Sequence, residues 1–300
     1  IGSSLCHVMK REGLAGVISG NAKSRSTLDK ALEIGFIDSA HPLPADAVRN
    51  ADLIVLAATV GANKRLAKTI SKSLKPGAIV TDVGSVKAAV ISDITPYLPR
   101  NVHFGPGHPV AGTEHSGPTS GFPELFTNRY CILTPLDASE PEVVDQIRAL
   151  WEAAGSKVEI MDAAHHDRVL AITSHLPHLI AYTIVGTASD LEGQLRCKNN
   201  SSDNGEKTEE VIKFSAGGFR DFTRIAASDP VMWRDIFLNN KDAILELLGR
   251  FIEDLTAMQR AIRWDEAETL ENTFRLRRKI RREIIEMGQA GSFNPNEAEN

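Results

Sequence analysis

Between Ile1 and about Met161, short runs rich in β-branched residues alternate with longer segments whose apolar residues recur at helical spacing. "AGVIS" (Ala15 to Ser19), "DLIVLAA" from Asp52, "AIVTDV" from Ala78 and "YCILT" from Tyr130 read as buried strands. "STLDKALEIG" opens on a Ser/Thr cap at Ser26 and closes on Gly35. "ANKRLAKTISKSLKPG" from Ala62 ends in Lys75, Pro76 and Gly77, so both segments read as helices with defined ends. Parallel strands need crossover connections that helices supply, so this alternation predicts an α/β domain with a doubly wound parallel sheet over residues 1–161.

After Met161 the strand signals fall away. "AAHHDRVLAITSHLPHLIAYTIVGTASDL", "DPVMWRDIFLNNKDAILELLGRFIEDLTAMQRAIRW" and "DEAETLENTFRLRRKIRREIIEM" carry apolar residues at helical spacing and predict an all-helical domain over 162–287. Three long amphipathic helices have more apolar face than one small bundle hides. The expectation is therefore a homodimer built across this domain, with a self-contained bundle as the alternative. "GQLRCKNNSSDNGEKTEE" (Gly193 to Glu210) has Leu195 and Cys197 as its apolar anchors and reads as a mobile insertion, while residues 288–300 read as a disordered tail.

Composition narrows the partners. With 300 residues and 42% hydrophobic content the chain can bury a sizeable core, and a net charge of −5 argues against nucleic acid or an anionic membrane. Cys6, Cys131 and Cys197 are odd in number and widely spaced, which points away from a disulfide framework or a zinc site and toward a reducing cytoplasm. The longest uninterrupted apolar run, "LIVLAA", is too short to cross a bilayer, so no membrane partner is expected.

The opening "IGSSL" reads as the end of a dinucleotide-binding turn. Gly2 would be the last glycine of Gly-x-Gly-x-x-Gly, and Ser3 would begin a helix whose free N–H groups face a pyrophosphate. The strand and the first two glycines of that motif do not occur in the sequence, so the sheet is expected without its central strand. At the end of the next strand, where a carboxylate usually takes the ribose hydroxyls, "VISGNAKSRS" offers Asn21 with Lys23 and Arg25 close behind. Two readings stand for these cations: a seat for a 2′-phosphate, which keeps NADP beside NAD, or two solvated surface charges. Thr59 and Val60, just past "DLIVLAA", are counted with the cofactor-binding residues.

"TDVGSVK" (Thr81 to Lys87) puts Ser85 at a helix start on the carboxyl edge of the sheet, either as an N-cap or as a ligand contact. "PGHPVAGTEHSGPTSGF" (Pro106 to Phe122) is poor in helix and strand formers and reads as a loop carrying His108 over the cofactor cleft. A histidine there is suited to accept a hydroxyl proton during hydride loss; a plain surface histidine is the alternative, and His115 is left as one. In "HHDRVLAITSHLPH", His166 and His175 fall on opposite sides of an ideal helix, which disfavours a metal site. Pro177 removes a helix hydrogen bond to Thr173 and should kink the segment, turning His178 toward the interdomain cleft. "GGFRDFTRIAASDPVMWRD" places Arg220 and Arg224 a helical turn apart, suited either to grip a carboxylate or to pair with Asp221.

Taken together, "TDVGSVK", "GHPVAGTEHSGP", "HHDRVLAITSHLPH" and "GGFRDFTRIAASDPVMWRD" resemble the prephenate dehydrogenase family, with its cyclohexadienyl and arogenate members, in order and spacing from Gly2 to about Met287. The resemblance implies a Rossmann-type domain followed by a helical dimerisation domain. It also implies oxidative decarboxylation of prephenate to 4-hydroxyphenylpyruvate with NAD or NADP, in tyrosine biosynthesis, with arogenate as the close alternative substrate and an inactive aromatic-ligand binder as a further one. By the same resemblance His108 is the catalytic base and Ser85 contacts the same ring hydroxyl. Arg224 binds a substrate carboxylate, and His178 lines the substrate pocket. Thr113, Glu114, His166, Asp221 and Trp233 match further pocket positions, the tryptophan reaching in from the partner subunit.

Overall fold

The computed structural model describes residues 1–113, 115–198 and 213–284. In chain order the first half runs α1 (Gly2–Arg11), β1 (Ser19–Gly20), α2 (Arg25–Ile34), β2 (Ser39–Ala40), α3 (Pro44–Ala47), β3 (Leu53–Leu56), α4 (Asn63–Ile70), β4 (Ile79–Asp82) and α5 (Ala88–Ile94). It continues through β5 (His103–Gly105), β6 (Gly107–Pro109), β7 (Tyr130–Leu133), α6 (Pro141–Ala153) and β8 (Lys157–Ile160). β1 pairs with β2 and β3–β4–β5 form a second ladder, all parallel, as the alternating pattern predicts. The sheet is in separate pieces, and Ile18–Gly20 and Leu53–Leu56 line the same cleft.

β6 departs from the parallel expectation. The sequence predicts a loop over Gly107–Pro109, yet this segment pairs antiparallel with β7, His108 opposite Ile132, and β7 runs parallel to β8. Pro106 ends β5, and the chain returns through residues 110–129 to bring Tyr130–Leu133 back alongside, so the partner strand supplies an order that the Gly/Pro-rich segment lacks by itself. The rest of the stretch is held from outside: Val110 N–H donates to Tyr130 O (2.8 Å), and Phe122 N–H donates to Ser4 Oγ (3.2 Å).

After Ile160 every described element is helical: α7 (Ala163–Leu170), α8 (Leu176–Lys198), α9 (Gly217–Thr223), α10 (Pro230–Asn239), α11 (Lys241–Arg263) and α12 (Ala267–Ile284), with short 3₁₀ or π turns between some of them. Of the stretch read as an insertion, Gly193–Lys198 continues α8 and 199–210 lies outside the described residues, as does the tail 288–300. Between α7 and α8 lies a π-helical turn, Ala171–His175, in which Leu176 N–H reaches back to Ala171 O. Pro177 falls in the first turn of α8, where its missing N–H is tolerated, so the irregularity expected of it takes the form of this wider turn. The wider turn also shifts the helical phase. His166 and His175, on opposite sides of an ideal helix, are both fully buried.

The chain divides into two compact units, Ile1–Ile244 and Leu245–Asn300. In the first, Ile54, Leu56, Val80, Val90, Ile94 and Phe104 pack with Trp233 and Ile236 of α10, while Leu5, Phe126, Leu133, Ile147 and Trp151 form a second cluster. In the second unit, two helical segments join at Asp265, whose φ of 54° lies in the left-handed region. That unit exposes Leu245, Ile252, Leu255, Ile262, Trp264, Phe274, Leu276 and Ile280.

One helical stretch, Ala163–Gln194, has a mean hydropathy of 1.4 over an 18-residue window and passes a length-and-composition test for membrane crossing. Counting uninterrupted apolar residues misses it. Only 28% of that window is buried, yet the stretch carries Asp167 and two buried histidines into hydrogen bonds with the rest of its own unit.

Candidate active site

A cleft of about 2390 Å³ runs through the first unit and is bordered by the carboxyl ends of its strands. At one end lies the start of α1. A Cβ on Gly2 would meet Ala57 Cβ at 2.9 Å, so the absence of a side chain lets this helix seat close behind β3. The helix has no side-chain cap, and its first residues Gly2 and Ser3 line the cleft, so the uncapped start of a helix borders it. The loop after β6 presses on this turn, since a Cβ on Gly121 would lie 2.4 Å from Ser3 Oγ.

The other expected cofactor residues divide. Lys23, Asn21, Thr59 and Val60 line the cleft. The Asn21 side chain is already engaged, its Nδ2 donating to His41 O (2.7 Å) and Pro42 O (3.2 Å). Arg25 does not line the cleft; its exposed side chain pairs with Asp29 at 2.8 Å, one turn along α2.

Further along the cleft come Val83, Gly84, Ser85 and His108. A buried pair fixes their spacing: Lys87 Nζ donates to Asp82 Oδ2 (2.5 Å) and to Gly107 O (2.6 Å), with Lys87 and Asp82 both 0% exposed. Asp82 Oδ2 also accepts Gly84 N–H (2.7 Å), and its Oδ1 accepts Gly107 N–H (3.3 Å). The loop that carries Ser85 and the strand that carries His108 are thus tied to one carboxylate. Neither Asp82 nor Lys87 was singled out from the sequence. The available signal was a lone lysine inside the apolar run "VKAAV", since an unpaired lysine is rarely buried.

Behind His108 lies a chain of polar side chains. His108 Nδ1 is 2.8 Å from His166 Nε2, and His166 Nδ1 is 2.8 Å from Asp167 Oδ1. Asp167 also accepts Lys87 N–H (2.7 Å) and Ala88 N–H (2.9 Å) at the start of α5. Asn240 Nδ2 donates to Asp167 O (2.8 Å) and contacts His175 Nδ1 (3.1 Å). His166, expected among the substrate-binding residues, is fully buried, does not line the cleft and touches His108.

Burial, followed by the nearby His166, Lys87 and His175, holds the His108 pKa well below its ordinary value, so the ring is neutral at pH 7. Burial lowers His166 as well, against the raising effect of Asp167. His175 is driven down to about 4, again chiefly by burial. A folded imidazole with a depressed pKa contributes stability that is fully present above the unfolded value and lost as pH falls through the folded one. Between about pH 6.5 and pH 4, His175 should therefore remove up to roughly 3 kcal/mol, with His108 and His166 acting in the same direction. Equilibrium denaturation at neutral pH and near pH 4.5 is expected to show this loss. An unchanged midpoint would contradict the buried, neutral histidines.

The far wall is built from the helical half. His178 stacks on Trp233, ring centroids 3.6 Å apart and planes at 22°, and its Nδ1 donates to Ser174 O (2.9 Å). Burial lowers the His178 pKa, the Ser174 carbonyl opposes this, and the charge of Arg224 lowers it further. Ser174, His178, Arg224 and Trp233 all line the cleft. Trp233, expected from the partner subunit, is packed within its own chain. Thr113 lines the cleft too and its Oγ1 accepts His115 N–H (3.3 Å), while Glu114 lies outside the described residues. Asp221 does not line it and lies exposed beside Arg220, 4.0 Å away.

Comparison with known proteins agrees with this architecture. The family description "Prephenate dehydrogenase, nucleotide-binding domain" matches residues 5–160, and "Prephenate dehydrogenase, dimerization domain" matches residues 162–276. The cyclohexadienyl dehydrogenase of Zymomonas mobilis is 39% identical over 282 residues, 94% of this chain and 92% of that protein. The crystal structure of prephenate dehydrogenase from Aquifex aeolicus in complex with hydroxyphenyl propionate and NAD+ is similar at a TM-score of 0.83 with 32% identity, covering 94% of each chain. A Synechocystis arogenate dehydrogenase is similar at a TM-score of 0.73 with 26% identity, covering 94% of this chain and 95% of that one. With both halves matched in order and a relative at this identity aligned along nearly its whole length, the chain belongs to the prephenate dehydrogenase family.

Proposed function

We propose that the protein catalyses the oxidative decarboxylation of prephenate to 4-hydroxyphenylpyruvate, with hydride transfer to NAD or NADP, as a step in tyrosine biosynthesis. The observation that carries this reading is His108: a buried, neutral imidazole on the same cleft as the uncapped start of α1. The close seat of Gly2 and the free N–H groups beside it fit a dinucleotide pyrophosphate. Lys23 is the cleft-lining cation where a ribose carboxylate would usually lie, which keeps NADP beside NAD.

In this reading His108 takes the proton of the ring hydroxyl and Ser85 contacts the same oxygen. A nicotinamide cofactor held at the start of α1 would supply the acceptor for the hydride that leaves the carbon bearing the hydroxyl. The bond from the ring to its carboxylate then breaks, carbon dioxide departs, the released electron pair makes the ring an aromatic phenolate, and His108 returns the proton to its oxygen. Arg224 takes a substrate carboxylate through its guanidinium fork, and the stacked His178 and Trp233 form an apolar wall. Thr113 and Glu114 complete the proposed substrate contacts.

Likeness to an arogenate dehydrogenase favours arogenate as the second reading of the same chemistry. An inactive aromatic-ligand binder is disfavoured because Ser85, His108 and Arg224 are all at the cleft. The proposal extends to a cytoplasmic homodimer with the helical domain taken as residues 162–287. The exposed apolar residues of 245–284 and the match to a dimerization domain support the dimer, and the free thiols of Cys6 and Cys131 suit a reducing compartment. Initial rates of reduced-cofactor formation with prephenate or arogenate, each with NAD or NADP, test the reaction. Turnover is expected with prephenate, whereas no turnover in any mixture by a protein that still binds hydroxyphenylpyruvate would replace the enzyme with a binder.

A further inference from the structure

The polar chain behind His108 has a direction that hydrogen-bond chemistry fixes. The Asp167 carboxylate accepts two backbone N–H groups, from Lys87 and Ala88, so it is anchored as an acceptor and cannot rotate away. A carboxylate has no proton to give, so the 2.8 Å contact between its Oδ1 and His166 Nδ1 requires the proton on His166 Nδ1. With His166 neutral, its Nε2 is a bare acceptor. The 2.8 Å contact from that atom to His108 Nδ1 then requires the proton on His108 Nδ1. The second nitrogen of His108 is left bare, on a ring that lines the cleft. His166 is fully buried and Asp167 is 5% exposed, so water does not compete for these bonds.

We propose that Asp167 and His166 are positioning residues that hold His108 as the tautomer protonated at Nδ1, presenting bare Nε2 to the substrate hydroxyl. The inference rests on the reading of His108 as the base and deepens it. The same carboxylate holds the backbone just after Ser85, so one anchored side chain orders both groups that meet the hydroxyl. The competing arrangement is a doubly protonated His166, which would donate to His108 Nδ1, move the remaining proton to His108 Nε2 and leave the cleft without a base.

Nitrogen-15 spectra of histidine-labelled protein decide between the two. The His108 signal, identified by its loss in His108→Asn, is expected to show a protonated Nδ1 and a bare Nε2; a proton on Nε2 overturns the proposal. This readout needs no activity and no folded His166 variant. In kinetics, His166→Leu removes the acceptor and should lower kcat by about a hundredfold or more with little change in either KM. His166→Gln, whose amide oxygen reaches about as far as Nε2, should recover most of that loss. Equal losses in the two variants, or full turnover in His166→Leu, would reduce His166 to a packing role. Should wild-type protein turn over neither prephenate nor arogenate, the functional reading falls while the His108 spectrum still decides the tautomer.

Discussion

His108→Asn is expected to lower turnover by about two to four powers of ten while leaving cofactor affinity unchanged. The ring sits on β6 between Gly107 and Pro109 and is no part of the turn at Gly2 and Ser3, so its loss should not disturb a bound pyrophosphate. Asparagine keeps a polar group within reach of His166 Nε2 but carries no basic nitrogen, so the packing is largely retained and the proton acceptor is not. The pH dependence of the wild-type enzyme sharpens the test. The active form is the neutral ring, and burial holds the His108 pKa well below its ordinary value. The acid limb of kcat/KM that belongs to this group should therefore lie below about pH 6.5, with no loss from it across the neutral range. Near-normal turnover by His108→Asn would remove the residue from the mechanism, and the proton would have to leave by way of another group lining the cleft.

The alternation of strand and helix was legible because parallel strands and their crossovers write their periods directly into the sequence. The antiparallel β6–β7 pair was not, since Gly107 and Pro109 carry no strand signal and the order of that strand comes from a partner more than twenty residues away. The cleft-lining residues Ser85, His108, His178 and Arg224 were legible from edge position and family likeness. Those that lie away from the cleft do so for local reasons. Arg25 found Asp29 one turn along its own helix, and Asp221 lies exposed beside Arg220. His166 and His175 were placed on opposite faces by assuming 3.6 residues per turn, and the π turn at Ala171–His175 breaks that assumption where the histidines lie. Asp82, Lys87 and Asp167 stayed hidden because their meaning depends on pairings across the fold, such as the bond from Lys87 N–H to a carboxylate eighty residues on.

The buried pair carries the second large effect. Lys87→Met keeps the length and most of the volume of the side chain but removes the ammonium that answers Asp82 and Gly107 O. Burial already pushes the Lys87 pKa down, and the Asp82 charge is the main influence raising it, so each group is tolerated in the core because of the other. Removing one partner leaves an uncompensated charge where water does not reach, and such a change costs about 3–5 kcal/mol. Denaturant unfolding should show that loss as a lower midpoint at unchanged slope. Adding Asp82→Asn to Lys87→Met takes away the stranded charge while keeping an acceptor for Gly84 N–H, so the double variant should be less destabilised than the sum of the two single changes. Catalysis should fail in parallel, because the pair sets the distance between the Ser85 loop and the His108 strand. Turnover in Lys87→Met is thus expected to fall even at temperatures where the protein remains folded, and additive losses in the double variant would show that the two side chains act separately.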